Sequence, residues 1–306
     1  MPRLRYLLHP FDKPFGGVAT IHRHVEWLTA AGFDAAIAMA APPAQDFYAS
    51  RAKFDFAYTP QTGDRVVIPE GLPHLLAPLA NAPIRRILFC QNQYYLQFGA
   101  DPRMGIAEFG VDRVLGSSVA VRDFFRDVYG VEIPIVPYAI DPAEYAPAAK
   151  MRAILLMPRK RADLAALIHH TFKRRHKRHA DIPWLSVDGA TSAQAAAEMA
   201  RSQWFLSLSH RESFGLPPLE AMACRAIPAG FMGDGGREYM TPANGFWAAE
   251  EDWRACADAL AAAIDIVDND PAAHQAMLAA GAATVAAYSP ARAQAALLEF
   301  WRGELA

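Results

Sequence analysis

Two glutamates, Glu212 and Glu220, are separated by seven residues, with Gly215 and the pair Pro217-Pro218 between them. A carboxylate accepts two hydroxyl hydrogen bonds at once, so each glutamate suits a vicinal diol. Gly215 lets the backbone approach a ligand closely. Proline suits the first turn of a helix, where its missing N–H costs nothing. The N–H groups of Phe214, Gly215 and Leu216 then project from a helix N-terminus, which is a ready anion site. Phosphate donors with a carboxylate at each end form a shape suited to a nucleotide sugar.

Other residues offer related chemistry. Arg159-Lys160-Arg161 follows an apolar run ending near Met157, and cations at a strand's carboxyl end stabilise charge developing on a diphosphate. Gly16-Gly17 precedes a helical pattern and reads either as a tight turn or as backbone donors for a phosphate. Gly233–Glu238 is a second glycine-rich loop. None of the ten histidines has metal-ligand spacing, and the three cysteines, Cys90, Cys224 and Cys256, form no CxxC pair. Neither a metal nor a cofactor is expected. The run from Lys173 to His179 is densely basic, which suits a helix C-terminus and a solvated face. It also suits an anionic membrane surface or a polyphosphate-linked acceptor.

These groups need elements to hold them. The 306 residues suit two domains of roughly 150 each. Hydrophobic residues make up 53% and charged residues 20%, a composition that packs rather than stays disordered. The formal charge of −2 gives no reason to expect nucleic acid as a partner. Short apolar runs alternate with helical patterns, which predicts βαβ units and parallel sheets. Strands are expected at 5–8, 35–39, 65–68, 86–90, 113–115 and 133–136, then at 153–157, 184–187 and 204–208. Val18, Ile21, Val25 and Leu28 recur at helical spacing after the first strand. Pro142 and Pro147 mark 141–149 as a linker. The expected fold is α/β: a Rossmann-like domain over 1–148 and a second over 149–289, facing a cleft. Ligands in such sheets sit at the carboxyl ends of the strands.

The segment Glu212–Ala223 resembles the donor-site motif of retaining GT-B-fold glycosyltransferases of family 4, the glycosyl transferases group 1. Their pattern is Glu, seven residues, Glu, with Phe-Gly-Leu and Pro-Leu-Glu-Ala-Met-Ala, matched here by Phe214–Leu216 and Pro218–Ala223. The resemblance is good over roughly residues 150–250 and loose before them. It implies that Glu220 binds the ribose hydroxyls and that Glu212 contacts the transferred sugar. The Phe214–Leu216 backbone would meet the sugar and distal phosphate, and Arg159 and Lys160 would neutralise the diphosphate. Gly16 and Gly17 look like the family's N-terminal glycine loop. Many relatives place a His after the fourth N-terminal strand. Here that stretch is Phe89–Gln93, so Gln91 or Asn92 would supply a neutral hydrogen bond to sugar or acceptor. The final helix, 290–306, would pack back on the N-terminal domain, as in relatives.

The implied activity is metal-independent transfer of a sugar, with retention, from a nucleoside-diphosphate sugar to a hydroxyl acceptor that is a glycan, a lipid-linked or a small molecule. Two alternatives stay open: a non-catalytic nucleotide-sugar-binding or scaffold protein, and a nucleotide-sugar epimerase of the same fold. The apolar run ending at Leu8 is too short for a signal-peptide core, so a cytoplasmic protein is expected, with the basic run able to lie against the membrane's inner face.

Overall fold

In a computed structural model, residues 2–11, 15–43, 47–48, 50–71, 76–96, 103, 105–108, 110–158 and 161–306 are described. The chain divides into two compact units, residues 1–138 with 291–306 and residues 139–290.

The first unit contains β1 (Leu4–Leu7), α1 (Gly16–Ala30), β2 (Ala35–Ala38), β3 (Phe54–Asp55), β4 (Arg65–Pro69), α2 (Leu76–Leu79), β5 (Arg85–Cys90), α3 (Gln93–Leu96), β6 (Arg113–Gly116) and α4 (Val119–Tyr129). Its sheet has the order β3-β2-β1-β4-β5-β6, and every pairing is parallel. The order reverses between β1 and β4. Helix α1 forms because Ile21, Val25 and Leu28 share an apolar stripe, and all three are buried. Helix α4 starts where Ser118 accepts the Val121 N–H, and it buries Val121 and Phe125.

The second unit contains β7 (Met151–Leu156), α5 (Ala162–Arg175), β8 (Trp184–Ser186), α6 (Ser192–Arg201), β9 (Ser202–Leu208), α7 (Leu216–Ala223), β10 (Ile227–Phe231), β11 (Phe246–Ala248), α8 (Trp253–Asn269) and α9 (Pro271–Ala286). Its sheet, in the order β11-β10-β9-β7-β8, is also all parallel. Here the order reverses between β7 and β9. Ile154, Trp204, Ile227 and Phe231 pack against Phe172 and the Leu260–Ile264 face of α8. The buried Trp204 indole donates to Ala263 O at 3.0 Å.

The last helix, α10 (Pro290–Leu305), counts from Ala291 with the first unit. Leu297, Phe300 and Trp301 join the core formed by Leu4, Tyr6, Ile37 and Phe89, and Trp301 Nε1 lies 3.1 Å from the Tyr6 hydroxyl. The three cysteines are free and buried.

Two elements differ from the sequence expectation. Residues 133–136 make one isolated bridge, Gly116 to Ile135, instead of a strand. Pro134 and Pro137 flank Ile135 and have no N–H to extend the pairing. The short strand β3 was not expected; it pairs only Ile37–Ala38 with Phe54–Asp55. Its two residues are too few for a period to show.

The segment 139–150, which contains the linker expected at 141–149, is built into the second unit. Ile140 N donates to Tyr288 O at 2.9 Å, and Ala148 N to Ala200 O at 3.3 Å. Lys150 Nζ donates to three carbonyls, those of Ala200, Ser202 and Cys224, at 2.7 to 2.9 Å. Those carbonyls end α6 and α7, so one ammonium satisfies acceptors that the helices leave over.

Candidate functional site

In the second sheet the reversal between β7 and β9 places two loops at the carboxyl ends of adjacent strands, where doubly wound sheets bind ligands. The loop after β7 carries Arg159 and Lys160, which lie outside the described residues. The loop after β9 carries Ser209–Gly215 and leads into α7.

Gly215 is the N-cap of α7 in a left-handed conformation, φ 84°, which only a glycine adopts without strain. Helix α7 starts at Leu216, and Pro217 and Pro218 bring no N–H to its first turn. The donors there are the consecutive amides of 214–216. Among the described residues, those of Gly215 and Leu216 meet no acceptor in the chain. Such a turn is a concave anion-binding element.

The Phe214 ring is buried at 2% exposure, 4.9 Å from Tyr239 and 5.0 Å from Tyr288 by ring centroids. Its side chain therefore anchors the turn. The Tyr239 hydroxyl donates to Gly215 O. Burial, with the Glu220 carboxylate adding to it, holds this phenol well above its ordinary pKa. Tyr239 thus stays a neutral donor at the start of α7.

Glu212 is half-buried and precedes the turn. Its carbonyl accepts the Gly235 N–H at 2.9 Å. The Gly233–Glu238 loop is thus packed backbone to backbone against the 209–214 loop. Gly233 lies against Ser209 and the His210 amide, and Gly235 against Ser213 and Phe214. On the second turn of α7, Glu220 accepts the Tyr145 hydroxyl on Oε1 at 2.9 Å. Glu212 and Glu220 therefore bracket the 214–216 amides along one stretch of chain.

Arg161, third of the three cations, is committed elsewhere. Its side chain is 8% exposed and bridges Glu250, at 2.8 Å, and Glu251. It also donates to Ser209 O at 3.3 Å and lies over the Phe231 ring. His210 Nδ1 bonds the same Glu250 at 2.9 Å. His210, Glu250 and Glu251 are the one group among the described residues whose ligand atoms come close enough to share a metal ion. A guanidinium already spans both of its carboxylates.

In the first unit, the Gly16–Gly17 turn opens α1 after β1. Gln91 and Asn92 follow β5. Gln91 Nε2 donates to Gly17 O at 3.1 Å, and Gln91 O accepts from Ser117 and Tyr138. Asn92 Oδ1 accepts the Tyr94 N–H at 3.1 Å, at the start of α3. The structure thus joins Gly17 to Gln91 and gives Asn92 a capping bond. Glu70, just past β4, is buried beside the backbone amides of Gln91 and Asn92. Burial pushes its pKa up to about 7, and those amides pull the other way.

Sequence reasoning did not single out Tyr145, Tyr239 or Glu70. Each is one residue in an unpatterned loop, and only tertiary contact gives it a partner.

Residues 189–278 match the model of the family described as glycosyl transferases group 1. Over 256 residues the chain is 25% identical to an alpha-1,6-glucosyltransferase of Actinobacillus pleuropneumoniae serotype 7, covering 79% of this chain and 77% of that protein. Among solved structures, sucrose-phosphate synthase from Thermosynechococcus elongatus is similar, with TM-score 0.74, 14% identity, and coverage of 100% of this chain and 99% of that one. The Anabaena protein HepE in complex with UDP-glucose has TM-score 0.72 at 13% identity, covering 98% and 99%. The last two likenesses concern the fold: two parallel-sheet α/β units of GT-B type. Segment, relative and fold together support a glycosyltransferase similar to those of group 1.

Proposed function

We propose that the chain transfers a hexosyl group, with retention and without a metal, from a nucleoside-diphosphate sugar to a hydroxyl acceptor. The observation that carries this reading is the 214–216 turn with its left-handed Gly215, bracketed by Glu212 and Glu220, inside the segment that matches the family. UDP-glucose is the first donor to try, because HepE is seen with UDP-glucose and the Actinobacillus relative is named a glucosyltransferase.

In this reading Glu220 accepts the ribose hydroxyls, and Glu212 contacts the transferred sugar. The 214–216 amides hold the sugar and distal phosphate, with Arg159 and Lys160 supplying compensating charge. In a front-face displacement, the acceptor oxygen bonds to the anomeric carbon as the bond to the diphosphate breaks. The acceptor's proton passes to the departing diphosphate. In the first unit, Gly16 and Gly17 are proposed to offer phosphate donors. Gln91 and Asn92 are proposed as neutral hydrogen-bonding groups toward sugar or acceptor. The Arg161 bridge over Glu250 and Glu251 supports metal independence, since the carboxylates best placed for an ion already have a cation.

The basic run is proposed to lie against an anionic membrane surface. Within the basic run, Arg175 and His176 contact Asp258, and Arg178 and His179 contact Asp265. Lys173, Arg174 and Lys177 are exposed and have no ion-pair partner among the described residues. No described helix is long and apolar enough to cross a membrane.

The test is nucleotide release from a panel of nucleotide sugars, with and without glycan or lipid-linked acceptors. Turnover that yields an α-linked product from an α-linked donor is expected. Binding with no turnover across acceptors would favour a scaffold, and interconversion of the donor sugar would favour an epimerase.

A further inference from the structure

Tyr145 lies in the 139–150 segment, which no motif covers, yet its hydroxyl meets the glutamate proposed to hold ribose. Both partners sit on rigid supports. The Tyr145 amide bonds Asp141 O at 3.0 Å, and Asp141 Oδ1 accepts the Ala143 N–H at 2.9 Å, closing a tight turn. Cys224 Sγ, at the end of α7, lies 3.6 Å from Tyr145 O. The Tyr145 ring packs against the cluster that includes Leu155, Met199, Phe205 and Ala221. Lys150 ties the end of the same segment to α6 and α7.

Glu220 is a long, half-buried side chain, and the Tyr145 hydroxyl holds one of its oxygens. Fixing such a chain costs up to about 1.5–2 kcal/mol in lost rotamer freedom. A phenol donating to one oxygen restrains the group before any ligand arrives, and a carboxylate has lone pairs enough to accept further hydroxyl protons. A group held in this way discriminates sharply against a ligand lacking the matching hydroxyl, because the held acceptor is then left unpaired.

We propose that Tyr145 is a positioning residue that sets Glu220 to read the ribose diol, so that the site selects ribonucleoside over deoxyribonucleoside diphosphates. The inference rests on the reading of Glu220 as the ribose ligand. The Tyr145 hydroxyl supplies orientation, and Glu220 makes the ligand contact.

The test is calorimetric titration of the whole chain with UDP, GDP and ADP and with their 2′-deoxy counterparts, on wild type, Tyr145→Phe and Glu220→Ala. Wild type should prefer the ribose form of its best nucleotide. Tyr145→Phe keeps the ring and its packing, and its melting temperature should confirm the fold. It should weaken binding of the ribose form by about 10-fold, the size of one hydrogen bond to a charged group. Binding of the deoxy form should hardly change, so the preference collapses. Glu220→Ala should abolish the preference altogether. If Tyr145→Phe keeps the wild-type ratio while Glu220→Ala loses it, Tyr145 has no such role. If wild type shows no preference, or Glu220→Ala binds as wild type does, the ribose reading itself fails.

Discussion

The amide of Gly235 donates to the carbonyl of Glu212 at 2.9 Å, and at this point two loops of the second unit touch without an intervening side chain. A Cβ built at 235 would overlap the Ser213 carbonyl and the Phe214 nitrogen. Those backbone atoms cannot yield without moving the 214–216 turn. Gly235→Ala is therefore expected to destabilise the second unit by about 1–3 kcal/mol and to weaken nucleotide binding with it. Gly303→Ala is the control. It lies in α10 with open space around a built Cβ, and there alanine should raise stability by about 0.5–1 kcal/mol. Urea unfolding and nucleotide titration of both variants check this.

Arg161 gives a second prediction. Arg161→Met removes a nearly buried guanidinium from Glu250, Glu251 and Ser209 O. The loss should be about 1–3 kcal/mol and should persist in high salt, because this side chain is little screened by water. EDTA should leave wild-type turnover unchanged. A large loss of activity that Mg²⁺ or Mn²⁺ restores would show that the cluster serves a metal after all.

The first unit should respond to pH through two buried groups with opposite signs. Burial raises Glu70 from 4.5 to about 7, so its contribution to stability is complete below pH 4.5 and is lost as pH rises through about 7. Burial, helped by Arg23, lowers His24 from 6.5 to about 3, so its contribution is present above 6.5 and is lost as pH falls toward 3. Between pH 4.5 and 6.5 the two slopes oppose each other. Wild-type stability should therefore be nearly flat there; Glu70→Gln should remove the Glu70 contribution, worth on the order of 3 kcal/mol, and expose a rise with pH set by His24. Urea midpoints at pH 4 to 8 for wild type and Glu70→Gln test this. An identical pH profile for the two would show that Glu70 does not titrate in this window.

For the basic face, replacing Lys173, Arg174 and Lys177 with glutamate should weaken binding to phosphatidylserine vesicles. Binding should also fall as salt is raised. Arg175 and Arg178, held by Asp258 and Asp265, should matter less. Wild type that ignores anionic vesicles would end the membrane proposal.

Much of the architecture was legible because buried parallel strands appear as apolar runs and α1 shows a 3.6-residue stripe. The expected strand at 133–136 looked like the others, but Pro134 and Pro137 limit it to one bridge. The Glu212–Glu220 stretch was legible because turn, helix start and both carboxylates are contiguous. Tyr145 meets Glu220 from 75 positions away, and nothing local to either residue announces that contact. Glu70 is similar: it is buried beside Gln91 and Asn92, yet one acidic residue after an apolar run resembles an ordinary surface turn. Arg161 sits in a basic triplet whose members look alike in sequence, and Glu250 and Glu251 set it apart only in three dimensions.

The three buried thiols have a practical consequence. Cys90 belongs to the first unit, and Cys224 and Cys256 to the second. Each can react with an alkylating reagent only when its surroundings open. Mass spectrometry of the labelled peptides over time would thus clock the opening of each unit separately, with no engineered probe. A nucleotide that protects Cys224 and leaves the rate at Cys90 unchanged would be binding the second unit.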